Sequence, residues 1–187
     1  LHMAHEEDIV AVAVTEEIDD IVLVGHSYGG AVVTHVADTI ADKLTALIFL
    51  DAYIAKDGQS LLDADPPARQ EAIRSRIEET PNGAVLPCPP AIIYGLHREE
   101  DVAWVNRRQT PHPAATYTER LPLGETWRTV PRLGYIATTG FSQSDFRDIS
   151  ASLADDPAFR RAEIATGHDA MIDAPQELAA LLLQLTA

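Results

Sequence analysis

The 187 residues are 46% hydrophobic and 23% charged, a balance that excludes a disordered chain and suffices for one domain with a sizeable core. Fourteen Lys and Arg against 29 Asp and Glu leave a formal charge of −15, which argues against nucleic acid and anionic membrane surfaces as partners. A lone cysteine, Cys88, rules out an intrachain disulfide and Cys₄ or Cys₂His₂ zinc sites, and no apolar run approaches the roughly 18 residues of a membrane span.

Taken in chain order, Glu6-Glu7-Asp8 followed by Ile9, Val10, Val12 and Val14 reads as an amphipathic helix entered partway. Asp19-Asp20 then gives way to Ile21-Val22-Leu23-Val24, a β-branched run with the look of a buried parallel strand. Beyond Gly29-Gly30, residues 31–38 carry alanines and valines at a helical period, and Ala46 to Leu50 is a second strand ending in Asp51. Strand, turn, helix and strand make a βαβ unit, whose right-handed crossover places both strands in one parallel sheet. From about residue 56 to 131 the periodicity breaks and prolines cluster. Short helices are expected there over 68–79 and 99–108, with proline-stiffened loops such as Val85-Leu86-Pro87. Regularity resumes with a third strand over 135–139, a helix over 145–154, a fourth strand over 162–165, the loop Thr166-Gly167-His168-Asp169, and a closing helix from Pro175.

Gly25-His26-Ser27-Tyr28-Gly29 matches G-x-S-x-G between an expected strand and an expected helix, the context in which that motif has a mechanical meaning. A serine at so sharp a turn has its hydroxyl held above the end of the sheet, while small residues at Gly25 and Gly29 let neighbouring chain pass close. The N–H of Tyr28 at the helix start is the candidate oxyanion donor. A glycine-rich packing turn is the plainer reading. A serine hydroxyl needs a base, and histidine suits that task. Of seven histidines, His2 and His5 fall on a solvated acidic helix face, His26 points away from the chemistry, His35 lies well into a helix, and His97 and His112 belong to the irregular segment. His168 alone follows a late strand at the sheet end that carries Ser27. An acid between them in sequence would fix the histidine tautomer. Asp51 and Asp145 are the candidates, with helix or turn capping as the alternative for each. Asp51 is preferred because a strand end holds it more rigidly.

Gly25-His26-Ser27-Tyr28-Gly29-Gly30, Leu50-Asp51-Ala52, and residues 165–171 before a helix containing Pro175 together resemble the α/β-hydrolase superfamily. More narrowly, they resemble its small esterase branch, near plant methyl-ester esterases, hydroxynitrile lyases and bacterial pyrethroid-type carboxylesterases. The resemblance implies an α/β fold with a mostly parallel sheet, flanking helices and a helical cap. Core parts would then span 1–55 and 132–187, with the cap at 56–131. It implies Ser27 as nucleophile and His168 as base, with no metal and no cofactor. Most of the superfamily carries the acid after the strand that follows the cap, where this chain reads Thr138-Thr139-Gly140-Phe141. A minority carries it one strand earlier, where Asp51 stands. Such folds usually begin with a hairpin and further strands whose His-Gly loop supplies a second oxyanion donor. About 50 to 70 residues of that kind do not precede Leu1, so that segment or a second copy of the chain is an expected partner beside the substrate.

The function expected is cytoplasmic hydrolysis of a carboxylic ester with an apolar portion through an acyl-enzyme. Tyr94, Trp104, Tyr117 and Trp127 either line a pocket above Ser27 or, for the two tryptophans, bury a core of the cap itself. Cys88 reads as a small apolar filler. The rival activities are a hydroxynitrile-lyase-type reaction, which in related proteins uses a pocket lysine and here has only Lys43 and Lys56 to draw on, and a non-catalytic ligand-binding homologue.

Overall fold

The structure, a computed structural model, describes residues 2–141 and 145–187. Helix α1 (His2–Thr15) leads to strand β1 (Ile21–Ser27), helix α2 (Gly29–Ile40) and strand β2 (Leu44–Ala52). After the irregular segment come β6 (Leu133–Thr138), α6 (Asp145–Ser152), β7 (Phe159–Ile164), the short α7 (Ala170–Asp173) and α8 (Pro175–Thr186). Strands β1, β2, β6 and β7 form one sheet in that order, and all three pairings are parallel. Every parallel step therefore crosses over through other structure, and all strand C-termini gather at one end.

Layering follows from which residues each face buries. On one face, Leu47, Phe49, Leu133 and Tyr135 meet Val32, Val33 and Val36 of α2; on the other, Ile48, Leu50, Ile136 and Ile164 meet Leu178 and Leu185 of α8. Both faces of β2 and β6 are covered, so these strands read as nearly continuous apolar runs. Strand β1 is less enclosed, with Val22 44% exposed on the edge strand. Helix α1 forms where expected, but only part of its apolar set is used: Ala13 is buried, Ile9 and Val10 pack on the core, and Val12 and Val14 stay exposed.

Residues 56–131 differ from the expectation. The helix expected over 68–79 stops early: α3 spans Pro67–Arg74, and Glu78–Thr80 (β3) turns back antiparallel onto Gly83–Leu86 (β4). Strand β4 in turn pairs with β5 (His112–Pro113) after α4 (Glu99–Asn106). Val85 and Leu86 thus lie in a three-stranded sheet instead of a stiffened loop. The hairpin turns at Pro81-Asn82, where Gly83 adopts φ +110°, a conformation open to glycine alone at little cost. The short α5 (Ala115–Thr118) follows.

The tryptophans also correct the expectation of a shared cap core. Trp127 is buried against Phe49 and Phe159 in the main core, and its loop is clasped by Asp38 of α2, which accepts from the N–H groups of Gly124 and Trp127 at 2.9 and 3.1 Å. Trp104 is 45% exposed. Among the described residues, no helix is long and apolar enough to cross a membrane.

Candidate active site

The turn from β1 into α2 is built by crowding. Ser27 ends the strand with φ +55°, outside the ordinary range for a side chain other than glycine, so packing must impose it. A Cβ on Gly25 would collide with Val33 and lie 2.8 Å from the Gly29 carbonyl oxygen. One on Gly30 would strike the Tyr53 carbonyl oxygen and stand 2.7 Å from the Ala52 Cβ. Gly29, by contrast, faces open space. The glycines that this turn needs are therefore Gly25 and Gly30, a correction to the pairing of Gly25 with Gly29. The Tyr53 N–H donates to the Ser27 carbonyl at 3.1 Å and ties the turn to the adjoining chain.

Asp51 occupies an equally unusual place. In the ladder between β1 and β2, His26 pairs with Leu50 and Ser27 with Ala52, so Asp51 is the extra residue of a bulge, at φ +42°. A bulge of this kind re-aims a side chain. The Asp51 carboxylate accepts from the Thr138 N–H on one oxygen at 3.1 Å and from His168 Nδ1 on the other at 2.7 Å. Asp51 is 1% exposed and His168 4%. Tyr135, fully buried in β6, braces the bulge: its hydroxyl accepts from the Ala52 N–H at 3.1 Å and donates to the Ala52 carbonyl at 2.8 Å. A buried backbone group left unpaired is costly, and the Tyr135 hydroxyl engages both Ala52 groups at once. The alternative acid, Asp145, opens α6, and its side chain lies outside the described residues.

The His168 ring is walled by aromatic rings. Phe146 stacks on it with centroids 5.2 Å apart and planes within 4°, Phe141 lies at 4.9 Å, Tyr94 at 5.8 Å and His26 at 4.4 Å. The His168 backbone is held too, with its N–H donating to the Tyr94 carbonyl at 2.7 Å. That contact needs close passage of two chains, since a Cβ on Gly167 would sit 2.6 Å from the same carbonyl oxygen. With Nδ1–H given to Asp51, Nε2 is left as the acceptor of the ring.

His26 does not point away. Its Nε2 donates to the His168 carbonyl at 3.0 Å, and both rings border the cleft that holds Ser27. Burial, followed by the neighbouring His168 ring, pushes its pKa down to about 4, so it is neutral at ordinary pH. His5 also departs from expectation, because it is half-buried with Nδ1 3.0 Å from the Tyr28 hydroxyl. Tyr28 begins α2 with helical dihedrals, while its ring packs edge-on against His112 at 4.7 Å. Its N–H is thus at the helix start, where orphan backbone donors collect.

Ser27, His26 and His168 share a cleft of about 370 Å³ whose other walls include Tyr94, Trp104, Arg108 and Ile172. The Arg108 guanidinium lies 4.5 Å over the Trp104 ring at the cleft's edge. Burial raises the Asp169 carboxyl pKa beside this cleft. The described residues include no group of three or more side chains that could hold a metal ion. Sequence reasoning missed Tyr135, Phe141, Phe146 and His26. The one available signal was the aromatic ring of His26 next to Ser27, since the other three approach only through folding.

Comparison with known proteins agrees with this architecture. The alpha/beta hydrolase family model matches residues 2–181. A carbendazim hydrolyzing esterase from Nocardioides sp. is 35% identical over 97% of this chain and 77% of its own length. Lipase LipV from Mycobacterium tuberculosis is 50% identical over a shorter stretch, 47% of this chain and 35% of the lipase. An extracellular alpha/beta-hydrolase from a Paenibacillus species superposes with a TM-score of 0.79 at 21% identity, covering 98% of this chain and 79% of that one. A pyrethroid hydrolase superposes at 0.66 with 15% identity, over 99% and 79% of the two chains. With a family model spanning nearly the whole sequence and a relative aligned along almost all of it, this chain belongs to the alpha/beta hydrolase family.

Proposed function

We propose that this protein is a serine hydrolase that cleaves a carboxylic ester with an apolar portion. Ser27 Oγ attacks the ester carbonyl while His168 Nε2 takes its proton, and the Asp51 carboxylate holds the imidazolium. The Tyr28 N–H donates to the developing oxyanion. His168 then returns the proton to the departing alcohol, leaving Ser27 acylated. Water attacks the acyl carbonyl, again giving a proton to His168, which passes it to Ser27 Oγ as the acid departs.

The observation that carries this reading is the buried Asp51–His168 hydrogen bond at 2.7 Å at the sheet end where Ser27 sits on its strained turn, with Ser27 and His168 bordering one cleft. Tyr94, Trp104 and Ile172 favour an apolar substituent in that cleft. Residues 56–131 act as a cap that supplies Tyr94 and Trp104 to this wall. Esterase-type chemistry is further supported by the Nocardioides relative, so carbendazim is the first substrate to try. A lyase reaction through a pocket lysine has less support: Lys43 is paired with Asp19, and Lys56 borders a different cavity.

The test is covalent labelling with a fluorophosphonate, followed by peptide mapping, alongside hydrolysis of p-nitrophenyl butyrate. Modification of Ser27 with parallel loss of hydrolysis is expected. Hydrolysis that survives stoichiometric labelling of Ser27, or a protein that neither labels nor hydrolyses, overturns the assignment.

A further inference from the structure

Apart from a group running from α1 to β1 and Leu183 of α8, the large apolar side chains left exposed among the described residues are Ile92, Ile93, Trp104 and Met171, each 39 to 58% exposed. All four belong to elements that frame the Ser27 cleft. Ile92 and Ile93 lie on the single turn Ala91–Tyr94, Trp104 on α4 and Met171 on α7. A small core of their own binds these elements together: Ala91, Leu96 and Val105 are buried, and Tyr94 and Ile172 pack on them. Tyr94, Val105 and Ile172 border the cleft, their neighbours Ile92, Ile93 and Met171 stay in solvent, and Trp104 does both. One exposed apolar residue is ordinary, but a set of them on the elements around one cleft marks a contact surface.

Charge and position choose what covers this rim. Glu99, Glu100 and Asp101 open α4 and Arg107 and Arg108 follow it, so the rim has no basic belt, and the whole chain carries −15. An anionic membrane is repelled, and so is a second copy of the chain brought face to face with its own charge. A protein seated there would also cover the cleft through which an ester reaches Ser27. An uncharged apolar phase meets neither objection. Tryptophan suits such a boundary, because its ring is apolar and its N–H can stay hydrated.

We infer that the rim formed by Ile92, Ile93, Trp104 and Met171 seats on aggregated, uncharged ester, so that the preferred substrate is one presented at an oil–water boundary and not one dissolved singly. The identity of the substrate rests on the function proposed above, while the seating of the rim on an uncharged apolar surface does not.

Tryptophan fluorescence isolates the seating step. Of the two tryptophans, Trp127 is buried in the main core and Trp104 is exposed on the rim, so a blue shift on mixing Ser27→Ala protein with vesicles reports Trp104. Phosphatidylcholine vesicles, which carry no net charge, should bind and shift the emission. Vesicles with about 30% phosphatidylglycerol should bind at least about fivefold more weakly at low ionic strength. Replacing both exposed isoleucines, Ile92→Gln with Ile93→Gln, should weaken binding by about tenfold with the thermal transition retained, and Met171→Gln, on a different element, by about threefold. In the active chain, tributyrin hydrolysis should rise by about threefold or more as the substrate passes its solubility limit. The double variant should lose that rise and keep kcat/KM for dissolved p-nitrophenyl butyrate within about twofold. Absence of vesicle binding, or binding unaltered in both variants, overturns the seating. Equal binding to the two kinds of vesicle overturns the choice of an uncharged surface. Binding with no rise in tributyrin turnover in an active enzyme overturns the substrate assignment. If neither ester is hydrolysed, the proposed function fails and the vesicle result still decides the rim.

Discussion

The C-terminal end of the parallel sheet and the 56–131 segment solve opposite problems with the same chain. At the sheet end, Ser27 and Asp51 both sit at positive φ, held by neighbours that leave almost no room. Strands β2 and β6 bring Phe49, Tyr135 and Ile136 to full burial around them. In the 56–131 segment, α3 buries none of its residues, the sheet strands are two to four residues long, and Asp63 is held at the surface by Arg120 at 2.7 Å. Strain persists only where packing over-determines the backbone. Groups whose position must be fixed therefore belong at the sheet end, and the segment above it can supply walls that tolerate change.

The largest effect that tests this contrast is Ser27→Ala, which should reduce kcat by about 10⁴-fold or more with the thermal transition retained; steady-state kinetics on a purified variant checks it. Next comes a matched pair of carboxylate replacements. Asp51→Asn should reduce kcat by about 10⁴-fold, because the amide either presents its N–H to His168 or favours the wrong tautomer. Asp63→Asn, which breaks a surface ion pair that holds its carboxyl below the usual range, should leave kcat within about twofold. Similar losses from both would erase the distinction between the regions.

Backbone crowding gives the third comparison. Gly30→Ala forces a methyl group into the Tyr53 carbonyl and should destabilise the protein by about 2 kcal/mol or more, whereas Gly29→Ala meets nothing and should change stability far less. Urea denaturation separates the two. The fourth concerns pH. His26 titrates near its ordinary value in the unfolded chain, but at about 4 in the folded protein. The unfolded state therefore takes up the proton first as pH falls. The stabilising contribution is complete above about pH 6.5 and is lost between about pH 6.5 and 4, by at most about 3 kcal/mol. His26→Gln can still donate to the His168 carbonyl and should flatten that part of the stability profile relative to the parent protein. An identical profile removes His26 as the source. The smallest effect is expected from Trp104→Ala in the wall: KM for aromatic esters should rise by about threefold to tenfold, with stability nearly unchanged because the ring is already half exposed.

Local chemistry made the principal core elements legible. The β-branched run at residues 21–24, the apolar run ending at Asp51, and proline at the start of α8 each carry their signal in neighbouring residues, and each appears in the structure. Ser27 and His168 could be singled out for the same reason, since a strand-turn-helix context and a loop after a late strand are properties of short windows. The 56–131 segment was harder to read. Its β3–β4 hairpin follows directly on α3, and a three-residue strand has too few positions for a period to show.

What the sequence determined by itself was the parallel α/β order, the tight turn at Ser27 and the narrow choice of acids. Only the tertiary structure decided that Asp51 is the residue squeezed out of the β1–β2 ladder and turned toward His168. It also brought His26, Tyr135, Phe141 and Phe146 around that pair. The physical reason is distance along the chain: Asp51 and His168 are 117 residues apart, and their hydrogen bond depends on strand registry that no local pattern encodes.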